Sequence, residues 1–140
     1  MPKYVHRNAY IAINGTALSD HCSSLTINDE ADKVEFTSFS GNGYREFGQG
    51  LKDGSVDCTF FQDFAAGSVH AILQPLYSSG GTFAVEVRPD SAAASSTNPK
   101  LTFTGRLYNY SGFGGQVGDA SEMDASFANA GTAGLVWGTV

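Results

Sequence analysis

Alternation of apolar and polar residues is the main pattern along this chain, and it predicts β-strands. The clearest stretch runs from Ser55 to Phe61, where Val56, Cys58 and Phe60 occupy every second position. The same period predicts further strands in the stretches 9–13, 82–88, 100–110 and 123–127. Leu25 and Ile27 share one strand face, and Val34 and Phe36 lie on another strand or on the same strand continued. Asn14-Gly15 after the first of these predicts a tight turn. The chain is therefore expected to be rich in short antiparallel strands.

One segment has a helical period instead. Val69, Ile72, Leu73 and Leu76 recur at the spacing of one helix face. Ser68 is a suitable N-cap residue, and Gly80-Gly81 is a stop signal. Pro75 within the pattern is expected to kink or shorten the last turn. The prediction is one short helix at about residues 68–77.

Together these elements predict an all-β protein with one short helix, built as two packed antiparallel sheets in a β-sandwich or partial barrel. A single domain covering residues 1–140 suits the length. The glycine-rich stretch at about 37–50 is expected to be a long, mobile loop between strands, and 89–99 a flexible loop. An apolar, uncharged C-terminal tail occupies about 131–140.

The net charge of the chain argues against one class of function, nucleic-acid binding. Eight basic residues against fourteen acidic ones give a formal net charge of −6, the opposite of a nucleic-acid binder. The sequence has no apolar run of the ~20 residues needed to cross a membrane and no signal-peptide pattern, so we expect a protein made in a cytosol. The two cysteines are then expected to be reduced.

Three candidate chemical sites are weak. Asp20-His21 with a nearby serine lacks the nucleophile-elbow pattern of a hydrolase, so no catalytic residue is predicted. The set His21, Cys22, Cys58 and His70 lacks the paired spacing of zinc motifs, so no metal is predicted. The glycines between 112 and 118 precede a predicted strand rather than a helix, which argues against a phosphate loop and any nucleotide cofactor.

Aromatic residues late in the chain allow two interpretations. Tyr108 and Tyr110 are predicted to share the strand face opposite the core, and Trp137 is the only tryptophan. They are suited either to a sugar platform or to a subunit interface, where Tyr and Trp are enriched, and we favour the interface.

The order of several short motifs resembles the major tail proteins, or tail tube proteins, of long-tailed, non-contractile bacteriophages, in particular those of actinobacterial hosts. The resemblance covers most of residues 9–128. It is carried by AYIAING at 9–15, LSDHC at 18–22, GLKDGSV at 50–56, FQDFAAGSV at 61–69, VEVRP at 85–89, SSTNP at 95–99 and GGQVGD at 114–119.

This resemblance implies a structural virion protein without enzymatic activity or cofactor. Six subunits would close into a ring, and rings would stack into the tail tube that conducts DNA from capsid to host. The stretch at about 37–50 would reach the neighbouring ring, with Phe39, Tyr44 and Phe47 as its anchors. Implied partners are other copies of the chain and the tape measure, tail terminator and distal tail proteins. Assembly would take place in the host bacterial cytoplasm.

The assembled channel is expected to carry net negative charge, so that DNA slides without sticking. Asp57, Glu86 and Asp124 lie on polar strand faces and are the candidate lumen residues, with Arg88 and Arg106 as possible opposing charges. Two alternatives stay open: a tail terminator or connector ring protein, and a monomeric β-sandwich carbohydrate-binding module.

Overall fold

The computed structural model describes residue 5 and residues 7–139. The strands are β1 (Tyr10–Ile13), β2 (Thr16–Ala17), β3 (Cys22–Glu35), β4 (Phe47–Phe61), β5 (Thr82–Arg88), β6 (Lys100–Tyr110), β7 (Glu122–Asn129) and β8 (Val136–Gly138). The α-helix is α1 (Val69–Ser79), and single turns of 3-10 helix cover Ser19–His21 and Phe39–Gly41.

All strands within the described residues belong to one antiparallel sheet, in the order β2-β1-β5-β6-β7-β4-β3, with β8 paired to the start of β6. The prediction of an all-β fold with one helix is confirmed. The strands are hydrogen-bonded in one sheet rather than in two separate packed sheets. The tight turn at Asn14-Gly15 is also confirmed, with both residues at positive φ.

The hydrophobic core lies on one face of this sheet. Alternate residues of five strands point into it, as the period-2 pattern predicted. Phe127 is at the centre, in edge-to-face contact with the rings of Phe60 and Phe83. The fully or nearly fully buried strand residues are Ile11, Ile13, Val56, Cys58, Phe60, Phe83, Val85, Val87, Leu101, Phe103, Leu107, Met123, Ala125 and Phe127.

Helix α1 packs against the core face, mainly over β6, and buries Val69 and Leu73. It ends as predicted at Gly80, whose left-handed conformation lets its N–H donate to the Leu76 carbonyl. Pro75 lies inside the helix, which continues to Ser79 rather than ending near Tyr77. Ser68 occupies the N-cap position as predicted, but its hydroxyl donates to Asp63 instead of accepting a bond from a helix N–H. Among the described residues no helix has the length and apolarity to span a membrane.

The segment predicted as a long loop at about 37–50 is shorter in the structure. β3 runs to Glu35 and β4 begins at Phe47, so residues 47–50 are strand. The glycines of this stretch suggested mobility, but Gly48 pairs with Val34 and Gly50 lies at an irregularity of the same ladder, and larger side chains cover both. The loop proper covers residues 36–46.

The C-terminal tail forms structure as well. After β7 the chain loops out and returns as β8, which continues along β6 where β7 has ended. Leu135 lies directly on Gly54 of β4, in the space that a Cβ atom there would need. The described part of the predicted tail is thus attached to the sheet; Val140 lies outside the described residues.

The connection from β5 to β6, predicted as flexible, is organised by Asn98. This buried side chain accepts a hydrogen bond from the Asp90 N–H at 2.9 Å and donates to the carbonyls of Asp90 and Ala92 at 3.1 and 2.9 Å. One amide therefore satisfies several backbone groups of the loop.

Candidate assembly surfaces

A two-stranded hairpin projects from the sheet. β4 pairs with β7 only from Ser55 onward, so residues 29–53 of β3, β4 and their loop have no third strand beside them. The side chains in this segment are nearly all exposed, whereas Gly54 is buried. We call residues 29–53 the arm. An isolated two-stranded hairpin is only marginally stable in water, so side-chain contacts within the arm are needed to stabilise it.

The arm is held by side chains that cover glycines. The Phe36 ring lies over Gly48, where an added Cβ would be 2.6 Å from Phe36 Cε2, and Val34 covers Gly50 in the same way. On the other face, Lys33 Nζ is 3.9 Å from the centre of the Phe47 ring, a cation–π contact. The contacts of Phe36 and Val34 explain why positions 48 and 50 need glycine, since a Cβ atom there would collide with these side chains.

Even so, the arm exposes much apolar surface. Phe39 is 109% exposed and Tyr44 77% exposed, and both lie at the tip. Further large apolar side chains are exposed along the arm, namely Phe36, Phe47 and Leu51. Several exposed large apolar side chains on one projecting element are typical of a surface that contacts another protein.

The arm is also acidic. It carries six carboxylates against three basic side chains, an excess of three negative charges: Asp29, Glu30, Asp32, Glu35, Glu46 and Asp53 against Lys33, Arg45 and Lys52. A partner surface that is apolar and neutral or basic would complement it.

Two of the three predicted lumen carboxylates lie together on the polar face of the sheet, opposite the core. Asp57 is exposed and accepts hydrogen bonds from Asn28 Nδ2 at 3.1 Å and Ser126 Oγ at 2.8 Å. Asp124 is exposed and accepts one from Thr59 Oγ1 at 2.9 Å. Neighbouring hydroxyls and an amide thus hold both carboxylates at the surface of β4 and β7.

Glu86, the third of these residues, has a different environment. Its carboxylate lies 3.5 Å from Lys100 Nζ and 3.9 Å from Arg88 Nη2. The Arg88 guanidinium also lies over the Tyr10 ring, 4.0 Å from its centre. Glu86 is therefore neutralised by two neighbouring cations within the subunit.

The three aromatic residues predicted for an interface do not share one surface. A β-bulge between Leu107 and Asn109 shifts the register, so Tyr110 pairs with Ala125 and turns to the core side. The prediction that Tyr108 and Tyr110 share a face is thus wrong. The Tyr110 hydroxyl is 2.6 Å from His70 Nδ1 and 3.1 Å from Gln62 Nε2. Tyr108 and Trp137 are both more than half exposed.

The residues near His21 do not have the arrangement of a catalytic triad. His21 Nδ1 is 2.9 Å from Asp20, and Nε2 is 3.1 Å from Asp63. The Ser68 hydroxyl donates to Asp63 at 2.8 Å, so it has no imidazole to act as its base. The hydrogen bond to Asp20 is the main reason that the pKa of His21 lies above its ordinary value. His21 thus links the start of β3 to the segment before α1 through its hydrogen bond with Asp63.

The structure also places the residues of the two remaining candidate sites, the cysteines and the glycine-rich segment. Cys22 and Cys58 are neighbours, but in the part of the chain that the structure covers no three His, Cys, Asp or Glu side chains group as a metal site would require. The glycine-rich segment after β6 is a turn closed by the Asp119 N–H donating to the Gln116 carbonyl, and it leads into strand β7.

The fold resembles that of proteins from phage-type tails. A chain from the SPP1 tail tube aligns with a TM-score of 0.75 at 13% identity, covering 99% of this chain and 80% of that one. A chain from the tail of an empty gene transfer agent particle, determined with C6 symmetry, aligns with a TM-score of 0.64 at 18% identity over 84% and 81%.

A chain from the sheath–tube complex of an extracellular contractile injection system aligns with a TM-score of 0.69 at 8% identity over 99% and 93%. No protein-family model and no curated protein sequence matches this chain. At these identities the likeness establishes the fold, and it extends to both phage-tail and contractile assemblies.

Some structural residues escaped sequence analysis. Leu135, Asn98 and the glycines of the arm act through individual close contacts rather than through a periodic pattern.

Proposed function

We propose that this chain is a structural tube subunit of a phage-type tail: six copies close into a ring, and rings stack into a tube through which DNA passes. The carrying observation is the fold, which corresponds over 84–99% of the chain to proteins from tail assemblies. C6 symmetry in one of those assemblies supports the hexamer. A structural rather than catalytic role agrees with the closed hydrogen-bond network around His21.

The arm is proposed to be the contact between rings. It projects from the sheet, lacks a third strand, and places Phe39 and Tyr44 at its tip with Phe47 at its stem. Buried between rings, these side chains would lose most of their contact with water, which is the main favourable contribution to association. Tyr108 and Trp137 are proposed to lie between subunits of one ring.

The open strand edges of the sheet support ring closure. β2 and β3 are the two ends of the strand order, and each leaves backbone groups without a neighbouring strand. Such edges promote uncontrolled pairing unless another element covers them. A closed ring of subunits would cover them in a defined way.

Electron microscopy of the full-length chain tests this function. Purified protein is concentrated in steps, and each step is analysed by analytical ultracentrifugation and negative-stain imaging. Sixfold rings and hollow tubes are the expected result. Rings that never stack would indicate a terminator or connector role, and a monomer at every concentration whose melting temperature rises with added sugars would indicate a carbohydrate-binding module.

A further inference from the structure

Two neighbouring thiols lie where the start of β3 runs beside β4, outside the arm, and the function proposed above does not use them. Cys58 of β4 pairs with Leu25 of β3. In a regular ladder, Cys22 would then pair with Phe61 and point to the opposite face. The irregularity between Cys22 and Ser24 moves Cys22 opposite Phe60 instead, so both thiols face the core side of two adjacent strands.

The two thiols differ in exposure. Cys58 is buried at 3% exposure, whereas Cys22 is only partly buried, and its Sγ lies 3.3 Å from the Ser24 carbonyl oxygen. Interaction with the Cys58 thiol lowers the pKa of Cys22, while the same interaction and burial raise the pKa of Cys58. An accessible sulfur that ionises more readily beside a buried thiol is the arrangement of an attacking and a resolving cysteine.

We propose that Cys22 and Cys58 form a disulfide when the folded chain meets a small-molecule disulfide oxidant, and that this bond fastens the start of β3 to β4. A Cys22 thiolate attacks one sulfur of glutathione disulfide, forming a mixed disulfide and releasing one glutathione thiolate. Cys58 then attacks the Cys22 sulfur, forming the Sγ–Sγ bond and releasing the second glutathione. The two protons lost by the cysteines leave with the two glutathione thiols, so the protein is oxidised by two electrons and the oxidant is reduced by two.

The expected timing rests on the proposed function, but the bond itself does not. A tail subunit folds in a reducing cytosol, where both thiols stay free, and leaves it in a released particle. The disulfide would then form after assembly and hold the start of β3 against the neighbouring strand β4.

The test uses the full chain incubated with reduced or oxidised glutathione, quenched with acid and digested without reduction. The expected result is loss of both free thiols, a mass decrease of about 2 Da for the two hydrogens, and one peptide pair linking Cys22 to Cys58. Cys22→Ser should then keep its Cys58 thiol free, because the accessible nucleophile is absent. Cys58→Ala, which keeps a small apolar group in the core, should stop at a mixed disulfide on Cys22.

Three results would overturn the proposal: two free thiols in the oxidised wild-type chain, a mixed disulfide on Cys22 that Cys58 never displaces, or a link between two copies of the chain. Dithiothreitol must restore both thiols. Because the readout is chemical and needs no assembly, its failure is separate from failure of the tube function.

Discussion

Removing the two apolar side chains at the tip of the arm should prevent the rings from stacking while the subunit still folds. The perturbation is Phe39→Ser together with Tyr44→Ser. Neither side chain is covered by the subunit, since Phe39 is fully exposed and Tyr44 largely so. The turn at the tip uses backbone groups, such as the Tyr44 N–H donating to the Gly41 carbonyl, which the substitutions retain. The free energy of unfolding of the subunit should therefore change by no more than about 0.5 kcal/mol.

The effect on stacking should be much larger. Full burial of one large apolar side chain contributes about 1.5–3 kcal/mol, so full burial of two per arm contributes roughly 3–6 kcal/mol. Each 1.4 kcal/mol corresponds to about a tenfold change in an association constant, which makes the expected loss at least a hundredfold for one arm. Six arms acting on one ring contact would amplify it further.

The assay compares the melting temperature and the sedimentation profile of the same preparation. The double variant should melt like the parent chain but form rings without tubes. Val117→Ser is the matched control, because Val117 is equally exposed but lies in the glycine-rich segment before β7, away from the arm. Normal tubes from the double variant, or loss of tubes in the control as well, would refute the assignment of the arm as the contact between rings.

Three further predictions test the fold and its charges. Phe127→Ala should lower the free energy of unfolding by about 3–5 kcal/mol, measured by chemical denaturation, since its ring is fully buried between two others. Leu135→Ala should cost about 1–2 kcal/mol in the same measurement, and Gly54→Ala should be destabilising as well because its Cβ collides with Leu135. The pKa of His21 is raised, so its contribution is complete below the unfolded value of about 6.5 and is lost as the pH rises through the folded value; His21→Gln should remove this part of the pH dependence of the melting temperature, and an unchanged profile would contradict it.

The sequence predicted the parts of the fold that depend on repetition. Alternation placed Val56, Cys58 and Phe60 on the core face, and the spacing of Val69 and Leu73 placed the buried side of α1. These predictions succeed because several residues at the same spacing share one environment, so one residue that departs from the pattern does not change the assignment.

What the sequence did not predict depends on single neighbours. The bulge that turns Tyr110 toward the core has no signature in composition, because one extra residue reverses the face of every residue after it. Gly48 and Gly50 were interpreted as sources of mobility, yet they make room for Phe36 and Val34. A glycine needed for flexibility and a glycine needed for close packing look the same until the partner is known.

The charges of the polar face limit how the subunit can be placed around a DNA channel. Of the eight basic residues, two precede β1, three belong to the arm, and the remaining three lie on the polar face of β5 and β6: Arg88, Lys100 and Arg106. Glu86 is the one carboxylate on that part of the face, so β5 and β6 present a net positive surface. The carboxylates of Asp57, Glu122 and Asp124 lie on β4 and β7 instead. A wall formed by β5 and β6 would attract phosphates and hold DNA, whereas a wall formed by β4 and β7 would repel it. The proposed negative lumen therefore requires that β4 and β7 face the channel, and it depends on Asp57 and Asp124 rather than on the neutralised Glu86.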